Sequence, residues 1–253
     1  MDAASILARY DAEVRADPPA STGVERTWVD GVLRTTGANN FITWWDFAEA
    51  AAPAIVAREA TYFRGLGGEV EWKVYAHDGP AGLETLLADA GFLPDEAETF
   101  LALDLESARI DADPPPGIEI RRVQDAAGRA DNVAVAAQVF DKAWPLDEIE
   151  ARLADPNVAF YVAYADGEAV GSARLEAPPG RAFAGLWGGG VAPDYRGRGI
   201  YRAMVAARAL EAARRGYRFL TVDALETSRP ILERLGFEAL TTIRGWVLKS
   251  GPP

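Results

Sequence analysis

The sequence predicts an α/β protein built of two like halves, and three observations carry that prediction. Segments with strand character alternate with segments of helical period along the whole chain. A strand, an acidic turn, a short helix closed by Gly-Phe and a further strand occur twice, over residues 70–92 and again over 219–237. Within those short helices Leu87-Ala88-Asp89-Ala90-Gly91-Phe92 parallels Leu232-Glu233-Arg234-Leu235-Gly236-Phe237. Finally, a proline run from Pro114 to Pro116 separates the halves, because proline neither continues a helix nor sits inside a sheet. The expected division is residues 1–106, a linker over 107–117, and residues 118–253.

In the first half, residues 3–16 place Ile6, Leu7, Tyr10 and Val14 at helical spacing, and Asp17-Pro18-Pro19 stops that helix. Two short strand-like pieces flank Asp30-Gly31, a hairpin dipeptide. Residues 37–40 read as a loop, and 44–65 as one long helix or two, interrupted near Pro53. Residues 70–76 are rich in β-branched and aromatic side chains and read as a strand. A turn at residues 77–80, a short helix over 83–90 capped by Gly91, and a strand over 99–105 follow.

The second half restarts with a strand over 118–123 and helices over 126–140 and 146–154. Strands over 159–165 and 169–175 are joined at Asp166-Gly167. A strand over 182–191 runs into the glycine–arginine loop, and a helix follows over 201–215. A buried-type strand over 219–224, a helix over 228–235 with Pro230 in its first turn, and a last strand over 240–248 complete the chain.

Composition removes several classes of function. The chain has 253 residues, 49% of them hydrophobic and 25% charged, as in a globular protein with a core. Cysteine is absent, which excludes disulfides, thiolate metal sites and a cysteine nucleophile. The single histidine, His77, excludes a serine–histidine triad away from its neighbourhood and any multi-histidine metal site, so no metal is expected. A formal net charge of -12 argues against a nucleic-acid partner and suits cationic substrates. The opening residues lack a basic segment followed by an apolar one, and no apolar run is long enough for a bilayer; a cytoplasmic protein without a membrane partner is expected.

The chemistry concentrates in residues 186–204, LWGGGVAPDYRGRGIYRAM. A strand ends in Gly188, Gly189 and Gly190, and Arg196-Gly197-Arg198-Gly199-Ile200-Tyr201 opens a helix. Backbone N–H groups at a helix start, with glycines allowing close approach, form an anion cradle, and the arginines add bidentate donors. A Walker loop would need a Gly-Lys-Ser/Thr ending, which the loop lacks. A dinucleotide fingerprint would need a third glycine where Arg202 stands, although Asp223 lies about where a ribose-binding acid belongs.

Arg196-Gly197-Arg198-Gly199-Ile200 resembles the R-x-x-G-x-G/A acyl-CoA motif of the GNAT superfamily of N-acyltransferases. Residues 186–191 resemble that family's central strand, 219–224 the strand that splays from it, and 228–237 its closing helix with the terminal Gly-Phe. The resemblance covers residues 118–248, and more weakly the first half, which resembles the degenerate copy of a tandem member. It implies that each half is a mixed, mostly antiparallel sheet flanked by helices. It also implies acetyl-CoA as co-substrate, its pyrophosphate on Gly197, Arg198, Gly199, Ile200 and Tyr201 with Arg196 alongside, and its pantetheine beside Gly189, Gly190 and Val191. The implied reaction is direct attack of a primary amine, on a small molecule or peptide, upon the thioester. Asp223 and Glu176 are the candidate bases and Ser228 the candidate proton donor, because the tyrosine that often serves in this family falls at Leu232. Tyr201 stands where the motif has glycine or alanine, and is a second candidate donor. A non-catalytic acyl-CoA sensor or scaffold is the alternative, with a dinucleotide-binding enzyme behind it, and either a monomer or a homodimer fits.

Overall fold

The structure is a computed structural model that describes residues 1–253 except 21, 22, 38, 112, 141–151, 153 and 250–253. The chain forms two compact units that interleave along the sequence. The first comprises Met1–Phe100, Asp223–Thr227 and Leu240–Pro253; the second comprises Leu101–Val222 and Ser228–Ala239. Residues 107–117 thus lie inside the second unit, and most of the last strand of the chain lies in the first.

In the first unit, α1 (Ala3–Tyr10) begins at Asp2, whose carboxylate accepts from the Ser5 N–H, and it passes into a π-helical turn at Asp11–Arg15. Strands β1 (Val24–Val29) and β2 (Val32–Gly37) form the hairpin expected at Asp30-Gly31, both of which have positive φ, as a type I′ turn requires. The third strand, β3 (Asn40–Trp45), corrects the sequence reading, which began a helix at Trp44. Asn40, Phe41 and Ile42 pair in parallel with β4 (Glu69–Tyr75), so pairing on both edges overrides the helical pattern there. The long helix α2 (Ala52–Leu66) starts eight residues later than expected, with Pro53 in its first turn. Helix α3 (Leu83–Asp89), the short β5 (Leu93–Pro94) and β6 (Glu98–Asp104) follow. The hydrogen-bonded order β1-β2-β3-β4 is completed by β12 (Glu238–Lys249), antiparallel to β4 from Ile243 to Lys249. Trp72, Phe63, Phe92, Ile42, Leu87 and Trp246 fill the core between this sheet and α2 and α3.

The second unit repeats the pattern. Strands β7 (Ile118–Arg122), β8 (Val158–Ala165), β9 (Glu168–Glu176) and β10 (Phe183–Val191) are successively antiparallel. Helix α4 (Ala126–Phe140) follows β7 and packs over β8, β9 and β10. Helix α5 (Ile200–Arg214) leads from β10 to β11 (Phe219–Ala224), which is parallel to β10, and α6 (Arg229–Arg234) follows. The expected helix over 146–154 and Trp144 lie outside or at the edge of the described residues. In both units a meander is followed by a long helix and a parallel strand, which is the mixed, mostly antiparallel α/β arrangement expected from the sequence. The β3–α2 connection, however, contains Asp46 and Glu49 and no glycine, so it has no counterpart of the arginine–glycine loop.

The far end of β6 belongs to the second unit. Leu105 N–H donates to Arg218 O, and the Arg218 guanidinium grips Asp104 through contacts of 2.9 and 2.8 Å. Residues 118–253 expressed alone would lack this strand and would carry a last strand with no β4 to pair. That fragment is expected to show no cooperative thermal transition by circular dichroism, where the full chain shows one.

Candidate functional site

The site is built at the end of β10. The β9–β10 register runs regularly from Gly185↔Glu176 to Trp187↔Arg174, then resumes at Gly190↔Ser172 after a bulge. Gly188 within the bulge has φ +52, a value that side chains resist. β10 pairs with β11 only through Phe183, Ala184 and Gly185, so past Gly185 the bulged strand has no neighbour on that edge among the described pairings. Unpaired backbone at a bulge beside a diverging strand is where an extended ligand can add hydrogen bonds.

The loop after the strand is anchored to it. Ala192 N–H donates to Val170 O at 2.8 Å, and Arg196 Nε donates to Val191 O at 3.1 Å. The chain then turns through Gly197 (φ +73) and Gly199 (φ +79) into α5. Gly199 is the N-cap and brings no side-chain cap to the helix. The first N–H groups of α5 therefore point outward without an intrahelical acceptor, under the positive end of the helix dipole. A methyl group on Gly197 would meet nothing within 4 Å, so the protein leaves that space open. Arg198 lies over the Tyr195 ring at 5.2 Å, and the Tyr195 hydroxyl donates to Glu168 at 2.8 Å.

Behind the bulge sits a cluster that the sequence pattern only half revealed. The Tyr201 ring lies beside Gly189; a methyl there would be 3.3 Å from Tyr201 Cε2 and 3.2 Å from Arg208 Nη2. The Tyr201 hydroxyl is hydrogen-bonded to Ser228, and burial raises its pKa while the nearby Arg208 charge and that hydrogen bond oppose the rise. Arg208 is buried to 1% exposure, donating to Met204 O and Arg174 O, with Trp187 O at 3.5 Å. Burial pushes its pKa down to about 10. In an alanine-rich helix segment nothing announces that Arg208 faces inward; only the packing of α5 on β10 does so. Leu232 is fully buried and has no proton to donate.

The structure thus gathers Gly189, Gly190, Val191, Arg196–Tyr201 and Ser228 within the second unit. The two candidate bases are differently placed. Glu176 pairs with Gly185, about 13 Å along β9 from the residue opposite Gly190. Its Oε1 lies 2.9 Å from Arg174 Nε and 3.5 Å from Arg152 Nη1. Asp223 belongs to the first unit, where its Oδ2 is 2.5 Å from the Lys73 ammonium. Both carboxylates are committed to cations rather than offered to an amine. His77, also in the first unit, is held at 2.8 Å by Asp11. Among the described residues no group of three or more histidine, cysteine, aspartate or glutamate side chains could hold a metal, and no helix is long and apolar enough to cross a membrane.

This bulged strand, phosphate-type loop and splayed parallel strand define an acyltransferase-type fold. The family model for the acetyltransferase (GNAT) family matches residues 130–237 of this chain. Among solved structures, a GCN5-related N-acetyltransferase from Kribbella flavida aligns with TM-score 0.72 and 15% identity, covering 99% of this chain and 95% of that one. A tandem GNAT protein from the clavulanic acid biosynthesis pathway aligns with TM-score 0.65 and 17% identity over 99% and 95%. A GCN5-related N-acetyltransferase from Sphaerobacter thermophilus gives 0.65 and 15% over 99% and 92%. At these identities the likeness is one of fold. No curated protein matches the sequence.

Proposed function

We propose that the second unit transfers an acetyl group from acetyl-CoA to a primary amine of a small molecule or peptide, and that the first half, residues 1–106, is a duplicated copy that has lost its cofactor cradle. One observation carries this reading: an uncapped helix start at two left-handed glycines directly follows a bulged strand whose edge is open. These residues fit the cofactor, because the N–H groups of Gly197–Tyr201 suit a pyrophosphate and the open bulge suits an amide-bearing arm.

When bound, acetyl-CoA supplies an acyl group activated as a thioester. The chain's own groups then do the rest. Gly197, Arg198, Gly199, Ile200 and Tyr201 hold the phosphates through backbone N–H groups, with Arg198 adding charge. An N–H at Gly189–Val191 polarises the carbonyl under attack. The Tyr201 hydroxyl, hydrogen-bonded to Ser228 behind the bulge, would hand a proton to the departing sulfur. Glu176 and Asp223 were the acids best placed by sequence, but both hold ion pairs, so the attacking amine gives up its proton through solvent.

Titration calorimetry with acetyl-CoA tests the cradle. Gly197→Ala places a methyl in open space at φ +73, costing the fold about 1 kcal/mol while obstructing the phosphates. Together with Arg198→Glu it is expected to lower affinity at least about tenfold, a loss of roughly 1.4 kcal/mol. Absent binding in the wild type, or unchanged binding in both variants, defeats this reading. Tyr201 at a motif position built for a small residue favours one second reading, an acyl-CoA sensor; binding without thiol release across a panel of amines would select it.

A further inference from the structure

Arg208 on α5 is 1% exposed, and the hydrogen bonds it makes among the described residues all go to backbone carbonyls. Its Nε donates to Met204 O at 3.0 Å, one turn earlier in the same helix. Its Nη1 donates to Arg174 O on β9 at 3.1 Å, with a longer contact of 3.5 Å to Trp187 O on β10. Buried charges are ordinarily paired with opposite ones, and carbonyls alone leave part of the desolvation cost standing. That cost pushes the Arg208 pKa down to about 10, with Tyr201 and Tyr161 opposing and the Arg174 charge adding to it. An apolar side chain of similar volume would avoid the cost, so the arginine is explained by what its donors hold.

The two strand carbonyls mark the place where the ladder breaks. Trp187 and Arg174 are the last opposed pair before the bulge, and pairing resumes at Gly190 and Ser172. Two residues of β10, Gly188 and Gly189, thus stand against one of β9, Ala173. Gly188 has φ +52, and neither it nor the two glycines after it has a side chain to fix this stretch. On the outer edge β11 gives no support, because its pairing with β10 ends at Gly185. The guanidinium backs onto the bulge instead. A methyl on Gly189 would lie 3.2 Å from Nη2 and 3.6 Å from Nη1.

We propose that Arg208 is a positioning residue for the transfer step: it clamps the bulge from the α5 side and so fixes where the Gly189–Val191 N–H groups point. The consequence for catalysis rests on the acyltransferase reading, which assigns one of those N–H groups to the thioester carbonyl. Buried as it is, Arg208 acts through the backbone and not on the substrate. A donor aimed at a developing oxyanion must have its direction set beforehand, and a misplacement of about 1 Å can cost a hundredfold in rate. The guanidinium suits the task, since its planar fork presents Nη1 to the strand carbonyls and Nη2 to Gly189 at once. A lysine would keep a cation near Tyr201 and lose that fork.

The test compares the full-length protein with Arg208→Met and Arg208→Lys in two measurements. The first needs no ligand: backbone 15N relaxation of the free protein, which reads how firmly each N–H direction is held. In the wild type Gly188, Gly189 and Gly190 should be rigid, with order parameters of about 0.85, and in both variants these should fall to about 0.6 or below. The second is thiol release with acetyl-CoA and a panel of primary amines. Here kcat should fall at least about tenfold in both variants, while acetyl-CoA binds with unchanged stoichiometry and within about fivefold of wild-type affinity, since the Gly197–Tyr201 cradle is untouched. A loss of folded protein would lower the stoichiometry as well. Arg208→Lys carries both readouts if Arg208→Met fails to fold. A mobile bulge in the wild type, or wild-type order parameters in the folded variants, overturns the clamp. Full recovery of kcat in Arg208→Lys, or mobility gained with kcat unchanged, overturns the positioning role. If the wild type binds no acetyl-CoA or releases no thiol, the acyltransferase reading fails, and the order parameters alone decide the clamp.

Discussion

Tyr201→Phe is expected to lower kcat about a hundredfold while leaving acetyl-CoA affinity within about twofold of wild type, the loss typical when a positioned proton donor is removed. The substitution keeps the ring against Gly189 and removes only the hydroxyl that pairs with Ser228. Its cost to the fold is one hydrogen bond, about 1 kcal/mol. Burial raises the Tyr201 pKa, so the phenol stays protonated at neutral pH and its ionisation should bring no loss of wild-type kcat there. Arg208→Met removes the cation that opposes this rise, which makes the phenol a weaker acid; kcat should fall without a new alkaline limb appearing. Stopped-flow thiol release on the three proteins reads all of this. A Tyr201→Phe variant with unchanged kcat would return the proton to Ser228 alone or to solvent.

Lys73→Met should destabilise the first unit by roughly 3–5 kcal/mol, a fall in Tm on the order of 10 °C. The Lys73 ammonium is 13% exposed and binds Asp223 Oδ2 at 2.5 Å. Glu71 and Glu98 face it too, and burial already raises the pKa of each. Without the cation, three half-buried carboxylates face one another. Glu71 and Glu98, already raised by burial, lose the cation that lowers them, so the folded state binds more protons and stability rises as pH falls. The deficit relative to wild type should accordingly shrink between pH 8 and pH 5 in thermal melts. In the wild type the sign runs the other way for Lys73 itself. Its folded pKa is raised, above all by the Asp223 charge against the opposing cost of burial, so its contribution is complete at neutral pH and is lost only as pH climbs through that raised value. Asp223→Asn leaves Lys73 with Glu71 and Glu98 and should cost less. The same variant separates a structural aspartate from a catalytic one, since a base lost at Asp223 would cut kcat with Tm unchanged, whereas an ion pair lost there lowers Tm.

Much of this was legible in residues close together in sequence. Asp30-Gly31 and Asp166-Gly167 declare their hairpins because only such residues adopt left-handed φ cheaply. Gly197 and Gly199 declare the turn into an uncapped helix start for the same local reason. The repeated Gly-Phe units declare two like folds. The tryptophans at 44 and 45 misled, since alternation was short there and helical spacing continued beyond them; strand pairing with β2 and β4 decided the matter.

What the sequence by itself determined, then, was the fold class, the glycine turn that opens α5 and the strand that feeds it. Each of those depends on backbone conformations that a few adjacent residues dictate. Tertiary structure alone decided which acids are free, because ion pairing depends on neighbours distant in sequence: Asp223 met Lys73, 150 residues away. It decided that β12 completes the first unit, a long-range pairing no local pattern encodes. And it decided that Arg208 turns inward to hold the β9 backbone at Arg174 O, since only the packing of α5 on the sheet sets which face of that helix is buried.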